Sequence, residues 1–163
     1  MFQNEKGYTL IELIIVIVLI GLLMSFTIPR FQDSLFTDSL KGAARNIVGL
    51  INSLREDAVS DERSYFLWFD LEMNRYWVTF SGMTEGEKLS AREESSQSLE
   101  GVEIREIRFS DEKGVISGEA SIHFDKRGYV QPAEIHLASD DGREFTLVLS
   151  PFLRRVDILE AER

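Results

Sequence analysis

One carboxylate stands alone in an apolar run. From Tyr8 to Ile28 the chain holds 21 residues, and Glu12 is the only charged one among them. At ~1.5 Å rise per residue a helix of that length crosses a hydrocarbon core of ~30 Å, so the segment predicts a membrane span. A carboxylate placed inside a bilayer costs roughly 2.5 to 3.5 kcal/mol on insertion scales, which invites a partner or a position near the membrane edge. A polar leader, Met1 to Gly7, precedes the span. A secretory signal has the other order, with a basic start, a shorter apolar centre and a small-residue cleavage site after that centre. Cleavage after Gly7 would remove only the leader and leave the apolar helix as the mature N-terminus.

The remaining residues with chemical potential are scattered. His123 lies between Ile122 and Phe124, and His136 between Ile135 and Leu137. Strand alternation that turns those apolar side chains inward turns both imidazoles outward, away from any shared site. Asp140 and Asp141 offer oxygen ligands, but the alternating run that calcium needs is absent, and the pair reads as a solvated turn. Glu85, Glu87, Glu93 and Glu94 read as a solubilising run. Trp77 and Tyr129 are either core aromatics or partner contacts. No phosphate-binding glycine loop, nucleophile elbow or metal-ligand spacing occurs, so neither catalysis nor a cofactor is expected.

Stepping along the chain from Glu12 gives the elements. Pro29 removes a helical hydrogen bond, yet Arg30 to Phe36 keeps a helical mixture, so a bend rather than an end is expected there. Leu40, Ala44, Ile47, Ile51, Leu54 and Ala58 recur at spacings of four and three, the face of a helix reaching about Ser60. Gly42 and Gly49 interrupt any coiled-coil seam and suggest close approach to a sheet. Tyr65 to Phe69 and Arg75 to Phe80 read as a hairpin. Ser81 to Ser98, rich in Ser, Glu and Gly, is expected to be a mobile loop. Strands follow at Val102 to Phe109, Ala120 to Asp125, Ala133 to Leu137, Glu144 to Leu149 and Val156 to Leu159, with turns at Lys126-Arg127-Gly128 and Asp140-Asp141-Gly142. The fold class is α+β: a long N-terminal helix packed on a C-terminal antiparallel sheet or sandwich. The organisation is a leader at 1–7, a transmembrane helix at 8–29, its amphipathic continuation at 30–62 and a β-rich domain at 63–163.

Composition narrows function further. The chain of 163 residues carries 28 acidic and 18 basic side chains, net −10, which disfavours nucleic acid. It has no cysteine, which excludes disulfides and thiolate metal sites. Arg105, Arg108, Arg127, Arg154 and Arg155 are the residues that could form a basic patch despite the net charge. Flanking charges are too few to orient the span.

Lys6-Gly7-Tyr8-Thr9-Leu10-Ile11-Glu12, with Gly21 and Pro29 beyond it, resembles the N-terminus of the type IV pilin and pseudopilin superfamily, with Tyr8 where Phe is most usual. Ala43-Ala44-Arg45 through Ala58, Phe69-Asp70, Ile122 to Tyr129 and Ser150 to Val156 resemble the H-type minor pseudopilins of type II secretion. Leu153-Arg154 stands where many of them carry Thr-Gly. The resemblance implies cleavage after Gly7 by a prepilin peptidase and N-methylation of Tyr8. It also implies pairing of the freed amine with Glu12 of a neighbouring subunit, and helix flexibility at Gly21 and Pro29. The four-residue spacing equally permits a pair within one chain, and snorkelling remains a third option. Implied partners are other major and minor pseudopilins, the inner-membrane assembly platform and membrane lipid. The implied location is the bacterial inner membrane, single-pass, with the C-terminal domain periplasmic. Two rivals are a minor pilin of a type IV pilus, serving adhesion, motility or DNA uptake, and a membrane-tethered enzyme or binding module.

Overall fold

The computed structural model describes residues 10–110, 114–151 and 155–161, and within them the side chains of all but 22–38 and 161. The chain divides into two compact units, Met1–Leu35 and Phe36–Arg163. Helix α1, Leu10–Ser60, is continuous through Pro29. It ends at Ser60, and Glu62 then adopts a left-handed φ of 54°. In the second unit, Leu40, Ala44, Ile47, Ile51, Leu54 and Ala58 are all buried, as the alternating spacing requires. Burying a Leu or Ile side chain is worth about 1.5 to 3 kcal/mol, so this face alone fixes the helix on the domain.

Two antiparallel sheets complete the second unit. Sheet A has the order β3-β2-β1-β5 and comprises β1 (Tyr65–Asp70), β2 (Arg75–Phe80), β3 (Gln97–Ser98) and β5 (Glu119–Phe124). Sheet B has the order β4-β6-β7-β8 and comprises β4 (Val102–Phe109), β6 (Ala133–Ser139), β7 (Glu144–Leu149) and β8 (Asp157–Ala161). Leu67, Phe69, Ile122 and Phe124 of sheet A meet Ile104, Ile107, Ile135, Leu137 and Leu147 of sheet B and the helix face in one core. The opposite face of sheet A carries Phe66 stacked on His123 at 4.9 Å and Trp68 stacked on Trp77 at 6.1 Å.

Two expectations fail. Ser81 to Ser98 is not a loop: it contains helix α2, Glu85–Glu94, followed by β3. Thr84 and Glu87 form a capping box, in which the Thr84 hydroxyl accepts from the Glu87 amide and the Glu87 carboxylate accepts from the Thr84 amide at 2.7 Å. α2 buries only Ala91, so no apolar stripe announced it. Gly42 and Gly49 also do not mark close approach to a sheet, since a Cβ at either would meet nothing within 4 Å. The intimate helix contacts are made by Ala43, Ala44 and Ala58 instead.

Candidate functional site

Glu12 lies in the first turn of α1, where the unsatisfied amides at a helix N-terminus favour a carboxylate. Around it, apolar side chains are open to solvent along the helix, from Leu10 at 80 % exposure to Ile20 at 48 %. A contiguous apolar surface of this kind marks contact with lipid or with another protein. Among the described residues no helix is long and apolar enough to cross a membrane, and the segment expected to do so, 8–29, lies partly outside them. Gly7 and Tyr8 lie outside the described residues, as does the Pro29 side chain. A Cβ at Gly21 would meet nothing within 4 Å, so packing inside this chain does not require glycine there. Among the described residues around it, Glu12 is the one charged acceptor set in an apolar helix, an arrangement suited to receive a cation.

The other candidates do not converge. His123 faces Phe66 on sheet A. His136, on the outer face of sheet B, has its Nδ1 3.0 Å from Thr146 Oγ1. The Asp140-Asp141-Gly142 turn joins β6 to β7, and Gly142 takes the left-handed φ of 84° that the turn needs. Asp141 accepts from Arg143 and Ser139, and these hydrogen bonds hold its carboxyl down at about 2. Among the described residues no group of three or more His, Asp or Glu could hold a metal.

Nor do the arginines gather into a basic patch. Arg105 meets Glu144 at 2.5 Å, Arg108 meets Glu106 at 2.8 Å and Arg155 meets Asp157 at 2.9 Å. Arg127 is exposed on its turn, and Arg154 lies outside the described residues. Trp77 is buried, with Arg75 and Arg92 over its ring at 5.8 and 5.7 Å, whereas Tyr129 is half exposed. Sequence reasoning missed Arg92, which ties α2 to Glu119 and approaches Asp70 at 4.0 Å. Its only advance signal was a cation in the last turn of a short helix that was itself overlooked.

Residues 2–28 match the prokaryotic N-terminal methylation motif. Over 154 residues, 94 % of this chain and 84 % of the relative, the sequence is 28 % identical to type II secretion system protein H of Pseudomonas aeruginosa. A 31-residue stretch, 19 % of this chain and 27 % of the relative, is 64 % identical to a type IV narrow pilus major component of Thermus thermophilus. The fold is that of the minor pseudopilin EpsH from the type II secretion system of Vibrio cholerae, with a TM-score of 0.51 at 13 % identity over 76 % of this chain and 98 % of that one. A methylation motif at the start of a helix whose second half packs on antiparallel sheets defines a type IV pilin-like protein. Within that superfamily the chain is similar, along 94 % of its length, to a type II secretion system protein H.

Proposed function

We propose that this chain is a minor pseudopilin, a structural subunit of the periplasmic pseudopilus of a type II secretion system. The observation that carries the reading is the N-terminal methylation motif on a chain related along 94 % of its length to a type II secretion protein H. The precursor enters the inner membrane through the segment 8–29, and a prepilin peptidase cleaves it after Gly7. Tyr8 becomes the mature N-terminus and is methylated. The helix then leaves lipid for a bundle of neighbouring helices on the assembly platform. Glu12 receives the α-amine of an adjacent subunit, which neutralises two charges in a poorly polarisable setting and fixes the axial register between helices. Work is done by subunit addition, and the chain itself catalyses nothing.

The pilus reading draws on a match that covers only 19 % of the chain, so the H-type relationship outweighs it. The tethered-module reading requires function to be indifferent to Glu12.

Intact mass of the protein from its native membrane, compared with Gly7→Ala and Glu12→Ala and with the content of sheared filaments, tests the proposal. Loss of Met1 to Gly7 with gain of one methyl group is expected, with Gly7→Ala unprocessed and Glu12→Ala processed but poorly assembled. A full-length, unmethylated chain that functions alone in the membrane would overturn it.

A further inference from the structure

Open strand edges invite pairing, and this fold treats its four edges unequally. In sheet A, β3 is two residues long, and α2 packs on the neighbouring β2. At the far side of that sheet, β5 turns back so that Gln131 N donates to His123 O at 2.9 Å and Val130 bridges Phe124. In sheet B, β4 carries a bulge between Ile104 and Glu106, and Ile107 exchanges both backbone hydrogen bonds with Val115, at 2.9 and 2.7 Å. β8 differs. Among the described residues no backbone group pairs with its outer side.

The side chains of β8 bear the same mark. Ile158 and Leu159 are neighbours and so point to opposite faces of the sheet, yet they are 45 % and 56 % exposed. Both faces of the strand therefore lack a lateral neighbour. A shallow groove of about 610 Å³ runs beside it, lined by Val148, Arg155, Val156, Asp157, Ile158 and Leu159. Arg155 is already engaged by Asp157. Glu160, opposite Phe145 on the core side of the sheet, has no cation beside it among the described residues. An inward-pointing charge on an edge turns away an identical acidic edge, and with a net charge of −10 a second copy is disfavoured as occupant. A cationic strand meets the opposite outcome.

We propose that β8 is a docking edge which accepts, as a fifth strand of sheet B, an extended apolar segment flanked by Lys or Arg from a different filament subunit. This rests on the pseudopilin reading and adds the contact surface and the chemistry of the neighbour. Main-chain hydrogen bonds supply the attachment, Ile158 and Leu159 pack on alternate side chains of the incoming strand, and Glu160 selects its charge.

The chain has no cysteine, so single cysteines can be placed without background. Full-length protein carrying a cysteine at 157, 158, 159 or 160, or at Glu103 on the bulged β4 edge as control, is coupled to a short photocrosslinker. It is then co-expressed with the other methylation-motif subunits of its host. The expected result is crosslinking from the β8 positions, well above the Glu103 control, to one Lys- or Arg-flanked segment of one other subunit, with contact sites advancing residue by residue along it. Glu160→Lys, read from position 158, lowers the yield about threefold, as expected when a like charge replaces an opposite one across a strand pair. Crosslinks no stronger than the control, crosslinks only between copies of this chain, or contact sites that fail to advance would overturn the proposal. Intact mass on the same samples separates the two readings: processed, methylated chains without β8 crosslinks sink the docking edge alone, and unprocessed chains sink the pseudopilin reading.

Discussion

Asn74 adopts a φ of 49°, a region Asn tolerates better than most residues. Its side chain ties the β1–β2 turn to the opening of β4: Nδ2 donates to Val102 O at 2.6 Å and Leu99 O at 3.2 Å, and Oδ1 accepts from Ile104 N at 2.9 Å. Asn74→Ala should lower stability by about 2 to 3 kcal/mol through these lost bonds, with Asn74→Gly less harmful because it keeps the backbone conformation. Urea unfolding followed by Trp68 and Trp77 fluorescence measures both, and wild-type stability in Asn74→Ala would show the clamp to be dispensable. Asp141 makes a second local prediction. Hydrogen bonds from Arg143 and then Ser139 lower its carboxyl from 3.8 to about 2. A lowered folded value means that its contribution is complete above the unfolded value and is lost as pH falls through the folded one. Asp141→Asn should therefore flatten the acid limb of the stability profile between pH 3.8 and about 2. A carboxyl NMR titration near the ordinary value would contradict this. The sequence showed Asn74 only as a turn residue, because Leu99, Val102 and Ile104 lie on a segment that nothing local connects to it, whereas the partners of Asp141 are its near neighbours Ser139 and Arg143.

At the scale of elements, periodicity spoke wherever burial was one-sided. The helix face from Leu40 to Ala58 was readable because each of its apolar positions enters the core. The outward turn of His123 and His136 was readable because Ile122, Phe124, Ile135 and Leu137 face inward. α2 was not readable by period, since it buries Ala91 alone and is held by a capping box, a Lys88–Glu85 pair at 2.7 Å and Arg92 on Glu119. The Thr84-Glu85-Gly86-Glu87 signature was present, but without an apolar run after it the stretch had the composition of a loop. Removing the cap should cost about 1 kcal/mol, and the damage should stay local because few contacts join α2 to the sheets. Thr84→Ala is expected to speed amide exchange over Glu85–Glu94 while leaving β1 and β2 protected. Equal loss of protection in the strands would mean that α2 holds up sheet A rather than resting on it.

For the whole molecule, the β domain keeps its core closed, while the N-terminal helix leaves its apolar side chains exposed around Glu12. That division suits a chain whose helix belongs first to lipid and then to a bundle. Glu5 and Lys6 cancel, so the proposed cleavage after Gly7 would leave the net charge of −10 unchanged and alter only what lies at the new terminus. The proposed pair between Glu12 and a neighbour's amine can be separated from a pair within one chain by mixing subunits. If the pair spans two chains, a Glu12→Ala subunit still offers its own amine to a wild-type neighbour, so co-expression with wild type should restore it to filaments. Assembled alone, the variant should enter about tenfold less well, the equivalent of ~1.4 kcal/mol. If Glu12 pairs within its own chain, wild-type neighbours have nothing to offer the variant, and its entry should stay equally poor in the mixture. Processing of every chain must be checked by intact mass in the same samples. A variant that assembles alone as well as wild type would leave Glu12 a snorkelling surface charge and remove the docking role altogether.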